Sequence, residues 1–174
     1  MVADCLPVLL TLENGSAVAA AHAGWRGLAG AGPMAGRGIL EAVVESFRPL
    51  AQVERAQAAI KVIAWLGPCI GPSAFQVGAE VKAAFESSHA GASRFFVATD
   101  AGKFLADLPG LARFRLQALG ITAVYGNDGS PPWCTVSNPL RFFSHRRDAA
   151  VGAGNGFGNG FGTTGRMAAC IWRV

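Results

Sequence analysis

The opening of this 174-residue chain constrains its fold more than any other stretch. Two apolar runs, LPVLLTL and SAVAAAH, flank Asn14-Gly15. Asn-Gly between such runs is the strongest short-range signal for a β-hairpin, because tight hairpin turns need residues that accept positive φ. A two-residue turn at Asn14-Gly15 pairs Glu13 with Ser16, so paired positions sum to 29 and Cys5 lies opposite Gly24. His22 then shares a face with Cys5, at the diagonal separation of roughly 7–8 Å that side chains bridge. Asp4, next to Cys5, falls on the opposite face of a regular strand. An antiparallel hairpin at this point also excludes a purely parallel sheet.

Downstream, GWRGLAGAGPMAGRG is a Gly-rich passage into a helix that places Ile39, Leu40, Val43, Val44 and Phe47 on one stripe. Ile60 to Leu66 reads as a buried strand, ended by the turn Gly67-Pro68-Cys69-Ile70-Gly71-Pro72. Ser73 and Gln76 make a capping-box pattern that opens a helix to about Glu86, with Phe75, Val81 and Phe85 inward. Asp107 is the N-cap of a further helix that buries Leu108, Leu111, Leu116 and Leu119 and ends at Gly120. The stretches 121–126, 142–144 and 167–174 complete the strands. The expected class is α+β, or mixed α/β: layered mixed sheets with flanking helices, in one domain over residues 1–174.

Composition narrows the function. The net charge of +4 comes from 15 basic and 11 acidic residues spread along the chain, without the basic blocks that bind nucleic acid or membrane surfaces, so a small anionic ligand is the better fit. Four cysteines stand far apart with no C-x-x-C pair, which argues against a zinc knuckle or a secreted disulfide framework and for a reducing, cytoplasmic setting. Met1 is followed almost at once by an acidic residue and a strand-like run, without a basic n-region or an apolar stretch of membrane-spanning length, so no targeting segment is expected. Residues 149–164 read as a Gly-rich loop insertion; Gly160, Gly162 and Gly165 match G-x-G-x-x-G, but a strand follows where a dinucleotide site needs a helix.

A lone cysteine on an apolar strand is usually an inert small hydrophobe, and a lone histidine a packed core residue. Together on one face, Cys5 and His22 are two thirds of a catalytic zinc site, which takes three protein ligands and keeps one position open. A cysteine nucleophile with a histidine base is the other chemistry the pair allows.

The blocks ADCLPVLL, AAAHAGWRGLAG, WLGPCIGPSAFQVGAEV, FFSHRRD and TGRMAACIW, in that order, resemble the YfiH-like, laccase-domain family of bacterial purine nucleoside phosphorylases. The resemblance implies a Zn2+ ion held by one Cys and two His, phosphorolysis of adenosine, inosine and methylthioadenosine, and adenosine deamination. Cys5 and His22 match two of the ligands. The family's other histidine precedes the ADCLPV block, so the third ligand is expected from an N-terminal segment absent here, with a late-called start as the expected reason. Purine nucleosides and phosphate are the expected partners. Two stretches depart from the family pattern as insertions: Gly32-Pro33-Met34-Ala35-Gly36 and the Gly-rich loop.

Phosphorolysis needs an anion site, and Arg26, four residues beyond His22 in a Gly-rich turn before a helix, is the foremost phosphate candidate. Arg146 follows it, with His145 as a proton donor, both expected at a strand end. Trp25, Trp133 and Phe143 could stack a purine. The deaminase activity rests on resemblance alone, since no H-x-E motif accompanies the metal ligands. The competing readings are a Cys-dependent hydrolase that edits cell-wall peptide precursors and a shortened, inactive relative. Multicopper chemistry fits poorly with three histidines.

Overall fold

The computed structural model describes residues 1–32, 36–53, 61–152 and 164–174. The hairpin forms with the register expected. Strand β1 (Leu6–Leu12) pairs antiparallel with β2 (Val18–Ala23) at Leu6–Ala23, Pro7–His22 and onward to Thr11–Val18. The turn is wider than two residues. Gly15 N donates to Leu12 O (2.8 Å) and Ser16 N to the Asn14 side chain (3.0 Å), while Glu13 N turns away to Lys61 O (2.8 Å). The neighbouring strand's claim on Glu13 opens the hairpin by one rung without shifting it.

On its other edge β1 pairs antiparallel with β3 (Val62–Leu66), and β3 pairs in parallel with β7 (Ala123–Gly126), giving the order β2-β1-β3-β7. Alternation along β1 sends Leu6, Val8, Leu10 and Leu12 inward, all fully buried. They join Leu40, Val44 and Phe47 of α2 (Ile39–Val53) in one core cluster, so the helical stripe read from the sequence faces the sheet. Helix α1 (Trp25–Ala29) is a single short piece ended by Gly30 at φ 68°, where a Cβ would lie 2.5 Å from the Gly36 carbonyl carbon.

A second sheet, β4-β6-β5, joins Gln76–Val77 (β4), Phe104–Ala106 (β6) and Phe96–Ala98 (β5), all antiparallel. This corrects the capping-box reading. Gln76 and Val77 pair with Leu105 and Phe104, and the ladder overrides the local cap, so helix α3 begins later, at Ala79–Glu86, with Gly78 as N-cap. Phe75, Val81 and Phe85 are nevertheless buried. Helix α4 (Leu108–Ala118) starts as expected, with the Asp107 side chain accepting from Gly110 N at 2.9 Å and Gly120 at φ 83° beyond its end.

Two expected strands do not form. Residues 142–144 lead into helix α5 (His145–Gly152), where the buried Ser144 accepts from Arg147 N through its hydroxyl (3.1 Å) and from Asp148 N through its carbonyl (3.0 Å). Ser144 is thus an N-cap: its hydroxyl satisfies the orphan amide of Arg147, and its carbonyl accepts the first bond of the helical ladder. Residues 167–174 contribute one bridge, Met167 to Val2, and no ladder among the described residues. Residues 149–152, assigned to the Gly-rich loop, close α5; residues 153–163 and the insertion at 33–35 lie outside the described residues, as does Ile60.

Truncating Leu10 to Ala should cost about 2–5 kcal/mol, the range for a fully buried leucine whose site cannot collapse. Urea unfolding followed by circular dichroism measures it; a loss below about 1 kcal/mol would remove β1 from the core.

Candidate functional site

The end of the hairpin brings Cys5 and His22 together over a glycine. A Cβ built on Gly24 would lie 3.0 Å from Cys5 Sγ and 3.9 Å from His22 Nε2, so the two donor atoms flank a space that only glycine leaves free. The hairpin register explains this placement: the ladder ends at Leu6–Ala23, Cys5 and Gly24 are the next residues beyond it, and His22 lies two residues back from Gly24. Cys5 is half-buried and His22 exposed. A thiolate and an imidazole are donors that suit zinc. No third His, Cys, Asp or Glu joins them among the described residues.

Burial pushes the Cys5 thiol above its ordinary pKa, the charge of Asp4 adds to the rise, and Arg166 pulls it back. Arg166 was not singled out from the sequence, although it lies in the TGRM block. The bridge between Val2 and Met167, closed by two hydrogen bonds of 2.8 Å, carries it there.

Asp4 is not on a regular strand, which corrects the expectation. Its φ is 85°, it is buried, and both carboxyl oxygens are engaged: Oδ1 accepts from Thr135 Oγ1 (2.6 Å) and Oδ2 from Arg146 N (2.7 Å). Its carbonyl accepts from Ile70 N (2.9 Å). Asp4 therefore binds the N-terminus of α5 to the residue next to Cys5.

That contact decides what the FFSHRRD block can offer. His145 and Arg146 lie at the start of a helix, not at a strand end as expected, and the helix amides are taken by Asp4 and Ser144. Both side chains are exposed; the Arg146 guanidinium donates to Gln76 O (3.0 Å) and lies over the Phe75 ring. Arg147 is structural, donating to Thr135 O (2.9 Å) and Phe142 O (3.1 Å). Arg26 is exposed on α1, stacked on Trp25 with 4.5 Å to the ring centroid, and has no ion pair among the described residues. Five residues of helix make no anion site on their own, so any phosphate role for Arg26 rests on its guanidinium. Of the aromatic candidates, Trp133 packs edge-on against Trp65, and Phe143 is half exposed. His89 packs edge-on against Phe114.

Comparison with known proteins agrees with the resemblance. The family described as "Multi-copper polyphenol oxidoreductase laccase" matches residues 1–174. The chain is 43% identical over 173 residues to a Pseudomonas aeruginosa protein named purine nucleoside phosphorylase PA4543, covering 99% of this chain and 58% of that protein. It is 42% identical over 174 residues to purine nucleoside phosphorylase YfiH of Escherichia coli K12, covering 58% of it. A more distant relative, 37% identical over 147 residues, is named adenosine deaminase RL5 and comes from an unknown prokaryotic organism; the match covers 83% of this chain and half of that protein. Among solved structures, Neisseria meningitidis protein NMB0706 superposes with a TM-score of 0.71 at 44% identity, covering 85% of this chain and 53% of that one. The chain spans somewhat over half the length of the first two of these relatives. A family match over the whole chain, with relatives above 40% identity and the same fold, makes this chain a member of the laccase-domain family to which the YfiH phosphorylases belong.

Proposed function

We propose that this chain carries part of the active site of a zinc-dependent purine nucleoside phosphorylase, acting on adenosine, inosine and methylthioadenosine. The observation that carries the reading is the pair Cys5 Sγ and His22 Nε2 flanking the open space over Gly24. The names of the relatives support the nucleoside and phosphate substrates, and the name of RL5 supports adenosine deamination as a second activity. Cys5 and His22 would hold the ion, with a third donor from outside these 174 residues, as the resemblance implies. Bound zinc would lower the pKa of a water or polarise a substrate oxygen. The proposed place of action is the cytoplasm, and no helix in the described residues is long and apolar enough to cross a membrane.

The chain's own residues divide the remaining work. Arg26 would bind phosphate through its guanidinium, whose planar fork matches the anion. His145 and Arg146 would contact the nucleoside, held in place by the Asp4 carboxyl beneath them. Asp4 itself makes a poor proton carrier for deamination, because both its oxygens accept hydrogen bonds already. The Cys-nucleophile alternative asks for a low thiol pKa, and burial raises that of Cys5.

Three outcomes test this reading. Gly24→Ala places a methyl 3.0 Å from Cys5 Sγ, and zinc titration against a chelator should show affinity weakened by about tenfold or more, or about 1.4 kcal/mol; unchanged affinity would remove the ion from this place. Cys5→Ser should lose zinc and phosphate-dependent release of free base together, since a hydroxyl is a far poorer zinc donor than a thiolate. Turnover lost while the metal stays would instead assign Cys5 as nucleophile. Arg26→Ala should raise the KM for phosphate more than that for inosine, by about tenfold to a hundredfold, matching about 1.5–3 kcal/mol for a charge-assisted bond. Equal effects on both substrates would take phosphate away from Arg26.

A further inference from the structure

Two cysteines outside the proposed site lie against each other. Cys69, in the turn 67–72, and Cys134, after the short helical turn Pro131–Trp133, are parallel bridge partners. Cys69 N donates to Trp133 O (3.2 Å) and Thr135 N to Cys69 O (2.9 Å), so the two backbones run at ladder spacing. Neighbouring strands lie about 4.7–4.9 Å apart, and disulfides join Cα atoms about 4.4–6.8 Å apart. Both thiols are free.

Their sulfurs have different surroundings. Cys134 Sγ accepts from Gly71 N and Ser137 Oγ, both at 3.3 Å. A Cβ on Gly71 would press to 2.9 Å from Cys134 Cβ, so glycine is what lets that amide reach the sulfur. Cys69 instead keeps its proton on Ile70 O (3.4 Å) and accepts one bond, from Asn127 Nδ2 (3.4 Å). One sulfur sits among donors that stabilise a thiolate, and the other is held as a thiol beside it.

We propose that Cys134 and Cys69 form an oxidisable dithiol, in which Cys134 attacks hydrogen peroxide and Cys69 resolves the product to an intramolecular disulfide. The Cys134 thiolate takes one peroxide oxygen, the O–O bond breaks, and the departing hydroxide picks up a proton to leave as water, giving a sulfenic acid. Cys69 sulfur then attacks Cys134 sulfur. The S–O bond breaks, and the Cys69 proton leaves with the hydroxide as a second water. Two thiols lose two electrons, and one peroxide becomes two waters. The titration of the pair agrees with these roles. Burial pushes Cys134 up, but its bonds from Ser137, Gly71 and Val136 together outweigh that and leave it below the ordinary thiol value. Burial holds Cys69 well above it, against the Asn127 bond, with Asp107 and Cys134 adding to the rise. Cys69 is fully buried and Cys134 is 2% exposed, so a small neutral peroxide is a better oxidant than glutathione. The bridge would also act on the proposed site, because Ile70 N and Thr135 Oγ1, each beside one of the cysteines, hold Asp4.

The test treats the folded chain with increasing hydrogen peroxide, labels remaining thiols with N-ethylmaleimide after unfolding, and maps the cysteines by mass spectrometry. The expected product is a Cys69–Cys134 crosslink, lighter than the two thiols by two hydrogens, reversed by dithiothreitol. In Cys69→Ser a dimedone adduct should accumulate on Cys134, and in Cys134→Ser none should form on Cys69. Recovery of both as maleimide adducts from wild-type chain, at peroxide that oxidises Cys5 or Cys170, would overturn the proposal. So would a dimedone adduct on Cys69 in place of Cys134.

Discussion

A buried carboxyl group at position 4 joins the parts of this structure that carry its chemistry. Asp4 holds φ at 85°, a region that costs a side-chain-bearing residue roughly 1–2 kcal/mol. Its oxygens accept from the Thr135 hydroxyl and the Arg146 amide, and hydrogen bonds to charged groups contribute about 1.5–3 kcal/mol each. The bonds outweigh the strain, so the chain bends at Asp4, passes Cys5 and enters β1 at Leu6. The first strand, the turn 67–72 through Ile70, and the start of α5 all meet at this residue.

That junction sets what each side of β1 can do. Period-two alternation commits Leu6, Val8, Leu10 and Leu12 to the core and leaves the other face for Cys5 and, across the hairpin, His22. The proposed metal donors, Cys5 just before β1 and His22 in β2, are thereby held by the same register that packs the core, and a shift of one residue would lose both. The junction also constrains anion binding. Asp4 and Ser144 fill the Arg146 and Arg147 amides at the start of α5, so these two are not free to hold phosphate. Arg26 and Arg166, like the exposed Arg146, stand in no ion pair among the described residues.

The hairpin was legible because its signals are local: Asn14-Gly15 fixes a turn, and counting back from it fixes which residues face each other. Asp107 and Gly120 marked α4 for the same reason. What was illegible depends on distant partners. Strands β4, β5 and β6 are two or three residues long, too short for periodicity, and exist because they pair with one another. Gln76 satisfied a helix-cap pattern but was taken by Leu105. Ser144 has Arg147, not Glu or Gln, three residues on, so it lacks the capping-box pattern and α5 went unread. The bend at Asp4 follows from Thr135 and Arg146, more than 130 positions away. Arg166 reaches the site through the Val2–Met167 bridge, which no local pattern announces.

The description of the family as multi-copper raises a chemical question that the donor inventory answers for these residues. Copper clusters of that kind draw on many imidazoles, and the chain has three histidines. His89 packs on Phe114, His145 opens α5, and His22 alone stands beside a thiol. One imidazole and one thiolate beside a glycine are what these residues offer to a single ion. A thiolate and an imidazole are donors that copper and zinc both accept, and of the two only zinc has no accessible redox change. In the proposed reading the Cys5–His22 pair would hold an ion that polarises and orients, a task that needs no change of oxidation state.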